Sequence, residues 1–187
     1  MKFRVAIPLA AGAALLTAAL LPVSFPATGQ EKAPDFGGKK DTEYAAKLWK
    51  ALERERLVGP RAILAVPYEG QEPHGAILVT LEGNVEVGDH TGIAMVKRNY
   101  GGPDISKEKV SNNPDENLGA ITIMYRREQG YDPEHENWFW AKYNADGTLQ
   151  TSPKDMKLAG RVASCIQCHQ AAPGEDYVYT HDRLTGD

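Results

Sequence analysis

Cysteine is scarce, with two residues among 187. A disulfide-dense scaffold is thereby excluded, and only one thiol pairing can be drawn. Basic runs are missing as well. Lys and Arg number 21 against 25 Asp and Glu, for a formal net charge of −4. No Arg/Lys cluster supplies the footprint of a nucleic-acid binder, so nucleic acid is not an expected partner. Methionine occurs four times, and never after residue 169. Beyond residue 21 no apolar run is long enough to span a bilayer. No repeat at a solenoid period is visible. What remains is 42% hydrophobic and 25% charged, the composition of a globular protein at a length that suits one domain.

The N-terminus has its own logic. Met1-Lys2-Phe3-Arg4 carries two positive charges, Val5 to Leu21 is an uncharged run of 17 residues, and Ala27-Thr28-Gly29 is small. This layout predicts a secretory signal peptide over residues 1–29, with Gln30 opening the mature chain. It predicts export to a bacterial periplasm or the cell exterior, with no membrane attachment after cleavage. A retained anchor is the competing reading, but the run sits at the lower limit for a span, and Pro8 and Pro22 interrupt its flanks. Residues 30–40, polar with Gly and Pro, read as a flexible leader before a domain over 41–187.

Asp41-Thr42 has the character of an N-cap, and Ala45, Leu48, Trp49 and Leu52 follow at helical spacing, predicting a helix over 42–56 that Gly59-Pro60 ends. The middle reads as β. Residues 62–66, 76–81, 85–87, 93–96, 118–125 and 138–143 are apolar or alternating runs. Turn residues lie between them at 88–92 and 144–147. Residues 101–117, rich in Gly, Pro, Asn and Lys, predict a long surface loop. Residues 158–171 fit a short helix. The fold class expected is mainly β within α+β: an antiparallel sheet with an N-terminal helix and a C-terminal helix.

That last helix holds both cysteines. Cys165-Ile166-Gln167-Cys168-His169 is C-x-x-C-H, the attachment signature of a c-type haem. Positions three apart share a helix face, so both sulfurs can reach the vinyl groups along one porphyrin edge. His169 then supplies the axial imidazole to the iron. A thioredoxin-like pair calls for a βαβ setting, a structural zinc site for four ligands, and a plain disulfide leaves His169 unexplained. One motif predicts one covalent haem c, bound by Cys165, Cys168 and His169.

The other side of the iron decides the chemistry. Common small electron-carrier cytochromes place a Met late in the chain; here 18 residues follow His169 and none is Met. His181 is the one downstream histidine, and it reads as a surface residue. Met95, Met124, Met156, His74, His90 and His135 are upstream candidates, with nothing to single one out. The expectation is an open sixth position that binds NO, CO or a small nitrogen substrate. Glu82, Glu86, Asp89 and Glu128 are candidate proton acceptors, with Arg126 or Arg127 as anion stabilisers. Tyr125, Trp138, Phe139, Trp140 and Tyr143 either wall an apolar haem pocket or simply pack the strands.

With these residues in view, the chain resembles the cytochrome P-460 family, which includes the cytochromes c′-beta. The resemblance runs from about Asp41 to the C-terminus. It rests on the haem motif, on Asp176-Tyr177-Val178-Tyr179 after it, on Gly130-Tyr131-Asp132-Pro133 leading to Asn137-Trp138-Phe139-Trp140, and on Gly92-Ile93-Ala94-Met95-Val96-Lys97. It implies a mostly antiparallel β fold, often a homodimer, around a five-coordinate haem c. In hydroxylamine-oxidising members a lysine bonds to the porphyrin; Lys97 holds the matching place, and a solvated strand-end lysine is its ordinary alternative. The c′-beta members share the fold without the cross-link and bind NO. Three readings follow: an oxidoreductase that takes electrons from hydroxylamine or NO and passes them to a soluble redox protein, a non-catalytic gas binder, or a six-coordinate electron carrier.

Overall fold

The computed structural model describes residues 36–174 and 176–179. The signal peptide expected over 1–29, most of the leader and His181 lie outside the described residues. Among the described residues no helix is long and apolar enough to cross a membrane.

Helix α1 spans Lys39–Arg54, three residues ahead of the sequence expectation. Gly38 is the N-cap, not Asp41-Thr42. Asp41 lies in the first turn, and its carboxylate accepts the backbone N–H groups of Gly37 and Gly38. An acid reaching back to the cap is half of a capping box. The helix stops at Arg54 because Arg56 adopts a left-handed backbone, φ 58°, well before Gly59-Pro60.

Six strands follow in simple sequential order, all antiparallel: β1 Tyr68–Glu69, β2 Ile77–Val87, β3 His90–Tyr100, β4 Leu118–Arg126, β5 Trp138–Tyr143 and β6 Ala159–Gly160. The mainly β, α+β architecture matches the sequence reading. The β2–β3 hairpin closes on two residues, with Gly88 at φ 70° where an L side chain would be strained. Helix α2, Lys107–Asn112, interrupts the stretch expected as loop. Ser106 Oγ starts it by accepting the Lys109 N–H at 3.2 Å, an N-cap bond. Residues 62–66 are not a strand. Ile63, Leu64 and Val66 are exposed, Val66 at 86%. The segment lies between Pro60 and Pro67, and the strand that pairs with β2 begins only at Tyr68.

Alternation along β3, β4 and β5 sorts side chains to two faces. On one face Ala94, Val96, Ile121, Ile123, Tyr125, Phe139, Ala141 and Tyr143 pack against Ala45, Leu48, Trp49 and Leu52 of α1. Leu48 and Leu52 are fully buried, each contributing about 1.5–3 kcal/mol relative to exposure. On the other face Met95, Met124, Trp138 and Trp140 pack against Val162, Ile166 and Val178. Helix α3, Ala163–His169, lies there. The residues expected as one helix over 158–171 therefore divide into β6, a bend and α3. At that junction Gly160, φ 102°, leaves no room for a Cβ, which would sit 2.6 Å from the Asp41 carboxyl carbon. The start of α1 is thus fitted onto the strand that leads into α3.

Candidate functional site

Helix α3 carries Cys165, Cys168 and His169 within two turns. Both cysteines are free thiols, Cys165 half-buried and Cys168 exposed. Burial pushes the Cys165 thiol up to about 11, against a smaller downward pull from Lys142. A buried thiol shifted upward is a weaker nucleophile than the lowered-pKa cysteine of a redox couple. Cys165 packs against the apolar cluster of Met95, Met124, Trp138 and Trp140.

His169 is buried. Its Nδ1 lies 2.7 Å from the Tyr177 carbonyl oxygen. A carbonyl can only accept, so Nδ1 carries the proton and Nε2 keeps its lone pair. This is how a backbone acceptor orients a metal-binding imidazole. Burial is the largest influence on the ring and disfavours its charged form; Tyr177 opposes that, and Lys97 adds to it. The site therefore holds a neutral imidazole with a coordinating nitrogen available.

The segment after α3 acts as a clasp. Trp138 Nε1 donates to the Asp176 carbonyl at 2.9 Å. The Val178 N–H donates to the Asp176 carboxylate at 3.0 Å, and Tyr179 Oη donates to the Cys168 carbonyl at 3.0 Å. Val178 is buried in the cluster under α3. Tyr177 adopts φ 69°, and its carbonyl is the one His169 uses. Asp176-Tyr177-Val178-Tyr179 was visible in the sequence only as a resemblance; its work is to hold the helix and aim the imidazole.

Three aromatic rings pack against His169. The centroids of Trp140, Tyr179 and His74 lie 4.8, 5.5 and 5.9 Å from that of His169. His74 belongs to the turn between β1 and β2. Its Nδ1 lies 3.5 Å from Thr122 Oγ1, which also accepts from Asn99 Nδ2 at 3.3 Å. Burial first, then the charges of Lys97, His169 and Lys142, push His74 down to about 4. Lys97, on β3 opposite Thr80 and Thr122, shares this face, and its charge is felt by both histidines.

The remaining sequence candidates are distributed elsewhere. Met95 and Met124 are core residues beneath α3. Met156 lies in the turn closed by the Ser152 N–H to Met156 carbonyl bond. His90 Nε2 is 3.1 Å from the Arg126 carbonyl, with its ring against Tyr125. His135 Nδ1 is 2.9 Å from the Asp132 carboxylate. Glu82, Glu86 and Asp89 are exposed on β2 and its hairpin. Glu128 pairs with Arg127 at 2.6 Å, and Arg127 stacks on Tyr44 of α1. Arg126 pairs with Glu136 at 2.8 Å over the Trp138 ring. The five aromatics do not form one wall: Tyr125, Phe139 and Tyr143 belong to the α1 face, Trp138 and Trp140 to the α3 face.

The donor set suits a covalently held haem. Two thiols three residues apart and an imidazole with its Nε2 available are gathered on one short helix. Beside them, Trp140 Nε1, on a ring centred 4.8 Å from that of His169, is buried without a hydrogen-bond partner, a donor that a bound group can take up. Among the described residues no group of three or more His, Cys, Asp or Glu is placed to hold a bare metal ion.

The family model described as Cytochrome P460 matches residues 53–180. No curated protein and no solved structure matches.

Proposed function

The chain belongs to the cytochrome P460 family, and on that premise we propose that it is an exported monohaem c-type cytochrome whose distal iron position reacts with small nitrogen species. Membership in a cytochrome family implies a haem cofactor. In this reading Cys165 and Cys168 would form the two thioether links and His169 would bind the iron. The observation that carries it is the His169 Nδ1–Tyr177 bond of 2.7 Å, which leaves Nε2 to the metal at the end of the C-x-x-C helix. Bound there, a haem would supply redox chemistry suited to oxidising hydroxylamine or NO, with a soluble redox protein of the periplasm or exterior as the electron acceptor.

The chain's own residues do the rest. The Asp176–Tyr179 clasp fixes the tautomer and direction of His169. The apolar cluster of Met95, Met124, Trp138 and Trp140 excludes water from the α3 face, which strengthens local electrostatics. Lys97 raises the potential at both histidines and is the candidate for a bond to the porphyrin edge. NO capture without turnover is the second reading. One observation favours it: Glu128, the acid nearest in sequence to the end of β4, is committed to Arg127 on the α1 side.

Optical spectra of the haem-loaded protein test these readings. A cross-linked ferrous haem absorbs unusually far to the red, and Lys97→Ala returns it to an ordinary c-type spectrum. An ordinary spectrum that Lys97→Ala leaves unchanged, with NO binding but no hydroxylamine-dependent reduction of an acceptor, supports the gas binder. A haem-loaded protein that takes up neither CO nor NO would contradict both.

A further inference from the structure

The face of the sheet away from α3 holds a group that the haem reading does not use. Arg98 follows Val96 by two residues on β3, so both side chains stand on the α1 side. Its cross-strand neighbours are Val79 and Ile121, both buried. Arg98 itself is 6% exposed, and its Nε is buried without a hydrogen-bond partner. The Tyr100 hydroxyl lies beside the guanidinium and donates its own proton to the Pro114 carbonyl at 2.9 Å. Among the described residues no carboxylate forms an ion pair with Arg98. A charge buried among apolar side chains is costly until an opposite charge joins it.

Arg98 stands at the junction of two adjoining hollows. The larger, about 640 Å³, is lined by Arg56, Arg61 and Arg98, with Asp115 as its one acid. Three guanidiniums against one carboxylate make this end cationic, in a chain whose formal net charge is −4. The loop that carries two of them is closed on itself. The Ile63 N–H donates to the Arg56 carbonyl at 2.8 Å, and Arg56 Nε donates to the Arg61 carbonyl at 3.1 Å. The smaller hollow, about 300 Å³, shares Arg98 and is lined by Leu64, Ala65, Val66, Val79 and Val110. Leu64 and Val66 are exposed; they belong to the apolar run over 62–66 that pairs with no strand. We propose that this cleft binds a small organic carboxylate with an apolar tail, its head against Arg98, Arg56 and Arg61 and its tail along Leu64, Val66 and Val110. A carboxylate matches the planar fork of a guanidinium. The tail covers apolar surface that the fold leaves in water, and the size of the cleft is that of a small-molecule site. An inorganic anion would use the cationic end alone. The cleft lies on the opposite face of the sheet from His169 and does not depend on the haem reading.

Titration calorimetry on the full chain as purified, with sodium hexanoate, sodium acetate and inorganic phosphate as probes, tests this. Hexanoate is expected to bind at least roughly tenfold more tightly than acetate, because each buried methylene multiplies affinity about fourfold. Arg98→Met is expected to weaken hexanoate at least roughly tenfold, as for a lost hydrogen bond to a charged group. Its urea midpoint without ligand is expected to match or exceed that of wild type, since a buried charge without a counter-charge does not stabilise the fold. A lower midpoint would assign Arg98 to the fold and overturn its role as a ligand group. Arg61→Gln changes only the exposed rim and is expected to weaken hexanoate severalfold at an unchanged midpoint, so the test stands even where Arg98→Met does not fold. The proposal is overturned if wild type shows no hexanoate binding in the millimolar range, if acetate or phosphate binds as tightly as hexanoate, or if hexanoate affinity is unchanged in Arg61→Gln or in folded Arg98→Met.

Discussion

The Tyr177 carbonyl accepts the Nδ1–H of His169 across 2.7 Å, from a residue in the left-handed region at φ 69°. A backbone oxygen in that uncommon conformation needs its neighbours to hold it. Asp176 does so on one side through its bond to the Val178 N–H, and buried Val178 does so on the other. The orientation of the imidazole is therefore set by a four-residue segment that contains no metal ligand.

Asp176→Ala removes the carboxylate that ties this turn. One lost side-chain bond is worth about 1 kcal/mol, so the fold should survive with covalent haem intact. The iron–His169 stretching band in the resonance Raman spectrum of the ferrous haem-loaded protein should shift or broaden. An unchanged band in Asp176→Ala would show that the clasp does not aim the ring.

The two faces of the sheet should respond separately. Leu48→Ala empties a fully buried position on the α1 face and should cost about 2–5 kcal/mol of stability, read as a lower denaturant midpoint with an unchanged haem spectrum. Met124→Ala, in the cluster that holds Cys165 and Ile166, should lower stability in the same range and also move the haem bands. Equal spectral effects from both would contradict the division of roles.

The fold was legible where one physical rule decides the outcome. The apolar runs that become β2 to β5 and the apolar spacing of Ala45, Leu48, Trp49 and Leu52 were enough, because each buries side chains against a partner. Residues 62–66 misled because an apolar run gives no sign of whether a neighbouring strand will pair with it. The start of α1 was misplaced because Gly38 caps through backbone conformation, while Asp41, a preferred cap type, works from the first turn. Within the site, C-x-x-C-H named Cys165, Cys168 and His169 because their spacing along one helix is local. His74, Thr122 and Asn99 meet through strand register across nearly 50 residues of chain, which composition and spacing do not encode. The role of Tyr177 is carried by a backbone oxygen, to which sequence is blind.

Acid should destabilise the protein through His74, which lies below the ordinary 6.5, at about 4, with burial the leading cause. Between those values the unfolded chain binds protons that the folded chain refuses, so stability rises with pH there. The stability should be fully present above about 6.5 and should fall as the pH drops toward 4. Urea midpoints at pH 7.5 and pH 5 measure this, with the lower midpoint expected at pH 5. His74→Gln, which cannot titrate, should show a smaller drop; an equal drop would assign the effect to other groups.

The intact mass of the denatured chain, produced in a host competent in cytochrome maturation, tests the central claim most directly. The account predicts a coloured protein whose mass exceeds the polypeptide by one haem, with the added mass on the peptide that contains Cys165 and Cys168 and absent from the double Cys→Ala variant. A colourless product at the mass of the bare polypeptide would contradict it.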